Sequence, residues 1–378
     1  MLKKGLILLL ILSTFTICCY AAPEVSAPSC ILMDMETGTV LYEKNADEQL
    51  APASVTKVMT LLLTMEAIDR GQLHWEDTIT ASAAAAAKGG SQVYLAEGEQ
   101  MSLREMVKCV VVSSANDCAT ALAEAVSGSE SGFVEQMNNR ARELNMTGTH
   151  FCNCTGLDDE AGADQHYTTA RDIAIMSREL LKHDEIREFT TIWMDTIRNG
   201  TFGLSNTNKL VRFYSGTTGL KTGFTSSAGY CMAASAQRDG LELIATVMHC
   251  DSSTDRFESA KALMDYGFAT YTLVDPVGDT EIPPVTVELG AQETITPVPQ
   301  GNERILLEKA QAGNVTRELQ LSPIVTAPVA QGQTLGTITL KSGDQVLGQV
   351  PLVADGAVNR LRWWDLFRQL LRHLWMAE

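Results

Sequence analysis

Ala51-Pro-Ala-Ser-Val-Thr-Lys-Val-Met-Thr60 heads an almost unbroken apolar run that continues to Ile68 and stops at Gly71. Pro52 is favourable just before a helix start, where its missing N–H costs nothing, so the run predicts a helix buried on most sides. A serine at such a start has free backbone N–H groups beside it and the positive end of the helix dipole, both suited to an oxyanion. Lys57 follows one turn later on the same face, within reach of the Ser54 hydroxyl. In apolar surroundings, with a second cation near, its amine would lose its proton readily enough to act as a base.

Outward from this helix the chain reads as strand, helices, strands. Two apolar runs over residues 29–42 flank Glu36-Thr-Gly38 and predict a hairpin. Ser102-Leu-Arg-Glu105 is a capping box opening a further helix, and residues 117–126, 132–144 and 169–181 carry apolar residues at helical spacing. After Lys209 come short β-prone runs at 219–224, 229–236 and 241–249, the last two joined through Asp239-Gly240, a strong hairpin signal, and then a helix over 255–266. Strands at both ends with helices between them imply an α+β unit, an antiparallel sheet completed by the N-terminal hairpin and covered by helices.

From about residue 274, prolines punctuate short Val, Ile and Thr runs, and strands at 337–340 and 345–350 flank Lys341-Ser-Gly-Asp344, which predicts a small β-sandwich. The segment 360–375 projects Trp363, Trp364, Leu366, Phe367, Leu370, Leu371, Leu374 and Trp375 on one side of a helix and Arg362, Arg368 and Arg372 on the other. Such a helix can lie in a bilayer interface; docking on its own protein is the plainer use of the same pattern.

The formal charge of −17 and the pI near 4.8 would repel a phosphate backbone, so nucleic acid is excluded as a partner. Lys3 and Lys4 before the apolar run at 6–12, then Ala21 and Ala22, read as a secretory signal peptide. Beyond it stand seven cysteines, Cys30, Cys109, Cys118, Cys152, Cys154, Cys231 and Cys250, an odd number that permits at most a partial disulfide set. Cys152-Asn-Cys154 lacks a second Cys or His pair at finger spacing, so neither a metal nor a cofactor is expected.

Two more short motifs follow Ser54-Val-Thr-Lys57 in order, Ser114-Ala-Asn116 and Lys221-Thr-Gly223, and Lys221 is the candidate second cation. Singly, each has a plain structural reading: a helix cap, a loop, a strand end. Together, in this order and with these flanks, they resemble the penicillin-recognising serine enzymes, and specifically the D-alanyl-D-alanine carboxypeptidases among the low-molecular-mass penicillin-binding proteins. The likeness extends to Asn153-Cys-Thr-Gly-Leu157, His166-Tyr-Thr-Thr-Ala170 with Asp172, Gly219-Leu-Lys-Thr-Gly-Phe-Thr225, Ala228-Gly-Tyr230 and Asp265-Tyr-Gly-Phe268.

The resemblance implies a penicillin-binding-protein/β-lactamase-like transpeptidase domain over 26–272 after a signal peptide at 1–22. It implies a β-rich C-terminal domain over 273–356 and an amphipathic membrane-associating helix over 357–378. It implies that Ser54 is the nucleophile on the bond between the two terminal D-alanines of peptidoglycan stem peptides, with Lys57 the acylation base and Ser114 the proton relay to the leaving amine. Asn116 would orient Lys57 and the substrate amide, Lys221 and Thr222 would bind the terminal carboxylate beside Gly223 of the same substrate-binding motif, and the N–H groups of Ser54 and Phe224 would hold the oxyanion, with Arg256 a second carboxylate contact. β-Lactams would trap the same serine, on the outer face of the cytoplasmic membrane.

Two positions depart from the family: Cys154 stands where Pro is common, and Phe224 where His or Tyr often follows the Lys-Thr-Gly motif. A class A β-lactamase shares the three motifs but needs a Glu-x-x-Leu-Asn loop; before Leu144-Asn145 the Glu position holds Ala141. Endopeptidase or transpeptidase action, and a wall-binding protein without catalysis, are the remaining alternatives.

Overall fold

Five antiparallel strands form the sheet on which the rest is built: β1 (Ser29–Asp34), β2 (Val40–Lys44), β3 (Thr217–Thr225), β4 (Gly229–Arg238) and β5 (Leu241–Cys250), in the order β2-β1-β5-β4-β3. The computed structural model describes residues 22–159, 162–301, 304–364 and 367. The signal-peptide segment, apart from Ala22, and most of the amphipathic tail lie outside the described residues.

β1 and β5 are buried along almost their whole length because both sheet faces are covered. Alternate side chains serve two cores. Ile31, Met33, Ile244 and Met248 join the helical cluster, and Cys30, Leu32, Leu243, Ala245 and Val247 pack under the last helix of the unit. The longer helices are α1 (Lys57–Asp69), α2 (Leu103–Val112), α3 (Asn116–Ser127), α4 (Glu130–Glu143), α5 (Ala170–Leu181) and α6 (Ser253–Thr270). The predicted cap at Ser102 forms: its Oγ accepts the N–H of Glu105 at 3.2 Å. The last helix runs four residues beyond the predicted 266, and it packs on β4 and β5.

α1 is buried from Lys57 through Met65, as its composition requires. Its hydroxyls find partners inside the core: Thr60 Oγ1 donates to the Cys154 carbonyl at 2.7 Å and Thr64 Oγ1 to the Thr60 carbonyl at 2.8 Å.

Beyond α6 a short strand, Tyr271–Val274, pairs with Ile305–Glu308. The following β-rich part holds a sheet of Val315–Leu321, Thr334–Ser342, Gln345–Ala354 and Pro297–Pro299, and a three-stranded sheet in which Val285–Glu288 runs parallel to Ile324–Thr326. Arg304 joins this part to the sheet unit, pairing with the Glu36 carboxylate and donating to the Gly240 carbonyl at 3.0 Å. Among the described residues no helix is long and apolar enough to cross a membrane.

Candidate active site

The chain enters α1 through a 3-10 turn, Ala53–Thr56, which carries Ser54. Lys57 Nζ lies 2.8 Å from Ser54 Oγ and donates to the Thr155 carbonyl at 2.9 Å. The lysine is fully buried, and burial lowers its amine from the usual 10.5 to about 7.

Three loops close around this turn. The segment 153–156 approaches so tightly that a Cβ on Gly156 would stand 1.8 Å from the Ala53 carbonyl oxygen. Asn153 Oδ1 folds that loop by accepting the Gly156 N–H at 2.6 Å. His166 Nδ1 accepts the Cys152 N–H at 3.1 Å and Nε2 lies 2.8 Å from Thr56 Oγ1, which donates to the Ala53 carbonyl. Burial keeps His166 neutral by lowering it to about 4, which suits an imidazole that accepts at one nitrogen and donates at the other.

Between α2 and α3 the backbone takes a positive φ of 61° at Ser114, aiming its hydroxyl inward. Lys221 Nζ donates to Ser114 Oγ at 2.8 Å and to the Thr222 carbonyl at 2.9 Å. Burial, then the neighbouring Lys57 and Arg256, lower Lys221 well below the usual lysine value. Asn116 Nδ2 donates to the Gly89 carbonyl at 2.7 Å, while its Oδ1 is buried without a hydrogen-bond partner. β3 is an edge strand and runs against the serine turn: a Cβ on Gly223 would meet the Pro52 carbonyl oxygen at 2.8 Å and the Ser54 nitrogen at 3.0 Å.

Ser54, Ser114, Thr222, Gly223, Phe224 and Arg256 share one cleft of about 270 Å³. Phe224 is 52% exposed at its mouth, with its ring 4.3 Å from that of Tyr230. Arg256 is 7% exposed and spends Nη1 on the carbonyls of Gly223 and Cys231, at 3.1 and 3.4 Å, while its guanidinium lies over Tyr230 and Phe257. In this state it braces the strand bearing Gly223.

Ser91 and Thr207 also line the cleft, and no spacing in the sequence pointed to them. Ser91 accepts the Asn116 N–H at its carbonyl, 2.7 Å away, and Thr207 Oγ1 accepts from Thr222 Oγ1 at 2.7 Å. Asp117, next to the second motif, accepts the N–H groups of Val93 and Leu95 and so fixes the 91–95 segment. The seven cysteines at 30–250 are free thiols, and Cys154 is buried against Glu130 and Thr120. Among the described residues no group of three His, Cys, Asp or Glu side chains converges to hold a metal ion.

A family described as D-alanyl-D-alanine carboxypeptidase matches residues 18–252, and one described as penicillin-binding protein 5, C-terminal domain, matches 271–360. The chain is similar to the D-alanyl-D-alanine carboxypeptidase DacF of Bacillus subtilis, 40% identical over 334 residues covering 87% of this chain and 85% of that one. With DacC of Escherichia coli it shares 32% identity over 370 residues, 94% of this chain and 91% of the relative. Among solved structures it is similar to penicillin binding protein 5 of Haemophilus influenzae, with a TM-score of 0.75, 28% identity and coverage of 90% and 99%. It is also similar to penicillin-binding protein D2 of Listeria monocytogenes in its ampicillin-bound form, with a TM-score of 0.59, 32% identity and coverage of 65% and 98%.

Proposed function

The chain belongs to the D-alanyl-D-alanine carboxypeptidase family, and from that premise we propose how its own residues carry the reaction. It is a serine D-Ala-D-Ala carboxypeptidase of the penicillin-binding-protein 5 type, acting on peptidoglycan stems and binding β-lactams. The observation that carries the assignment of roles is the fully buried Lys57 amine 2.8 Å from Ser54 Oγ.

In the proposed reaction Lys57, neutral for much of the time near pH 7, takes the Ser54 proton as Oγ attacks the carbonyl between the two D-alanines. Its bond to the Thr155 carbonyl engages one of the two amine hydrogens and orients the amine so that its lone pair can face the hydroxyl. The oxyanion falls to the N–H groups of Ser54 and Phe224, where the close approach of Gly223 sets the edge strand beside the serine turn. The substrate carboxylate favours the ammonium form of Lys221 and meets Thr222, and Ser114, bonded to Lys221, relays to the departing amine the proton that Lys57 took from Ser54, so that Lys57 and Ser114 end as they began. Water then frees the acyl group and Ser54. Asn116 offers its buried, unpartnered Oδ1 to the lysine or the substrate amide. Arg256 contributes by bracing Gly223, and its position in the cleft wall leaves the second carboxylate contact as part of the proposal.

Incubation with a pentapeptide muropeptide should release free D-alanine, and Ser54→Ala should abolish both release and labelling by a fluorescent penicillin. A folded wild-type protein that takes no label on Ser54 would overturn the assignment.

We also place the enzyme outside the cytoplasmic membrane, led there by residues 1–22 and held by 357–378, with the remainder divided near residue 272. Trp363 and Trp364 are each 65% exposed and Phe367 46%, the amphipathic content an interfacial helix needs. Vesicles containing anionic lipid should co-sediment the full chain and not a chain lacking 357–378; equal sedimentation sinks the anchor.

A further inference from the structure

Glu130 has no part in the steps above, yet it lies between the two loops that hold their parts in place. It opens α4, and its side chain is 24% exposed. One oxygen, Oε1, accepts the Cys154 thiol at 3.2 Å and the Cys154 N–H at 3.4 Å; Oε2 pairs with Lys88 Nζ at 2.8 Å. Each partner is one residue from a group of the reaction. Thr155, after Cys154, supplies the carbonyl that anchors Lys57 Nζ. Gly89, after Lys88, supplies the carbonyl that anchors Asn116 Nδ2.

The two loops are tight against what they hold. A Cβ on Gly90 would stand 2.7 Å from Asn116 Nδ2, and the Cys154 carbonyl is bonded to Thr60, one turn along α1 from Lys57. An acidic residue in a first helical turn suits the dipole without any partner, and Ser129 already caps α4 through the Gly132 N–H. The dipole does not require a carboxylate with one oxygen on each of two loops.

We infer that Glu130 is a positioning residue for the carboxypeptidase reaction, tying the 88–91 loop to the 153–156 loop and so setting Asn116 and Lys57 relative to each other. The inference rests on the roles proposed above for those two residues. Burial opposes ionisation of Glu130, but its bonds to Lys88 and Cys154 hold it below the usual carboxylate value, so the bridging form near neutrality is the anion. Burial, followed by Glu130 itself, pushes the Cys154 thiol up, and it stays an S–H donor.

The groups around the Lys57 amine are Cys154, Asp117 and Lys221, with Ser54 and the Thr155 carbonyl in hydrogen-bond contact. Freeing the 153–156 loop would admit water to that amine, and its proton affinity would climb back toward that of a solvated lysine.

The experiment measures the rate of Ser54 labelling by a fluorescent penicillin against pH in wild type, Glu130→Ala, Glu130→Gln and Lys88→Met, with Ser102→Ala as a variant destabilised at a remote helix cap. Misplacement of catalytic groups predicts a loss of about tenfold or more in Glu130→Ala. Its acid limb should move to higher pH. Glu130→Gln, which keeps an acceptor for Cys154, should recover part of the rate, and Ser102→Ala should retain both rate and limb. An unchanged rate and limb in Glu130→Ala overturn the inference, as does a loss no greater than that in Ser102→Ala. Should Glu130→Ala fail to fold, wild-type rates in both Glu130→Gln and Lys88→Met overturn it. An unlabelled wild type would instead defeat the reading of the reaction itself.

Discussion

With its amine sealed in the core beside Ser54, Lys57 titrates near 7 rather than 10.5, and the sign of the pH dependence follows. Below about pH 7 the lysine is protonated and cannot accept the serine proton, so acylation by a fluorescent penicillin should fall about tenfold per pH unit. Lys57→Met should lower it by a factor of roughly 10² to 10⁴. Between pH 7 and 10.5 the unfolded chain binds more protons at this site than the folded one, so Lys57 contributes a stability that rises with pH. The urea stability of wild type minus that of Lys57→Met should therefore increase from pH 7 to 9. At Gly223 the test is steric: an alanine there would press on Pro52 and Ser54, and a displacement of 1 Å is worth about 10² in rate. Gly223→Ala should keep its circular dichroism and lose labelling. Ser54, Lys57, Ser114, Asn116 and Lys221 were legible in the sequence because each lies in a short motif with chemistry of its own. The carbonyls braced by Arg256 and the loops joined by Glu130 were not, since those contacts span 33 residues and 24 residues of chain and leave no periodic trace.

Among the elements, the caps were readable from four residues and their effect is local. Ser102→Ala removes the acceptor for the Glu105 N–H and should cost about 1 kcal/mol in urea unfolding with no change in acylation. The strands β4 and β5 were readable for a similar reason, through Asp239-Gly240, where both residues take positive φ. Less of the C-terminal part was legible. Alternation marks a strand without naming its neighbour, so the parallel pairing of Val285–Glu288 with Ile324–Thr326 could not be foreseen. The small hairpin of Met194–Ile197 and Phe202–Ser205 was missed because its strands are four residues each, too short for a periodic signal.

At the scale of the molecule, the contacts of Arg304 with Glu36 and Gly240 sit at one end of the sheet, where β1 ends and β5 begins. The cleft lies toward the other end, where β3 reaches Gly223 and Phe224. Arg304→Ala breaks a partly exposed ion pair and should cost about 1 kcal/mol. D-Alanine release from a soluble muropeptide should be unchanged in that variant, measured side by side with wild type. The same separation has a mechanical side. If the C-terminal part is held as proposed above, an acylated Ser54 would make the enzyme a link between the polymer and its anchor. A pull between those two points would act at opposite ends of the same strands and load the inter-strand hydrogen bonds, which lie across the strands, in shear. Many bonds then share the load, where a pull from one edge would open them singly like a zip.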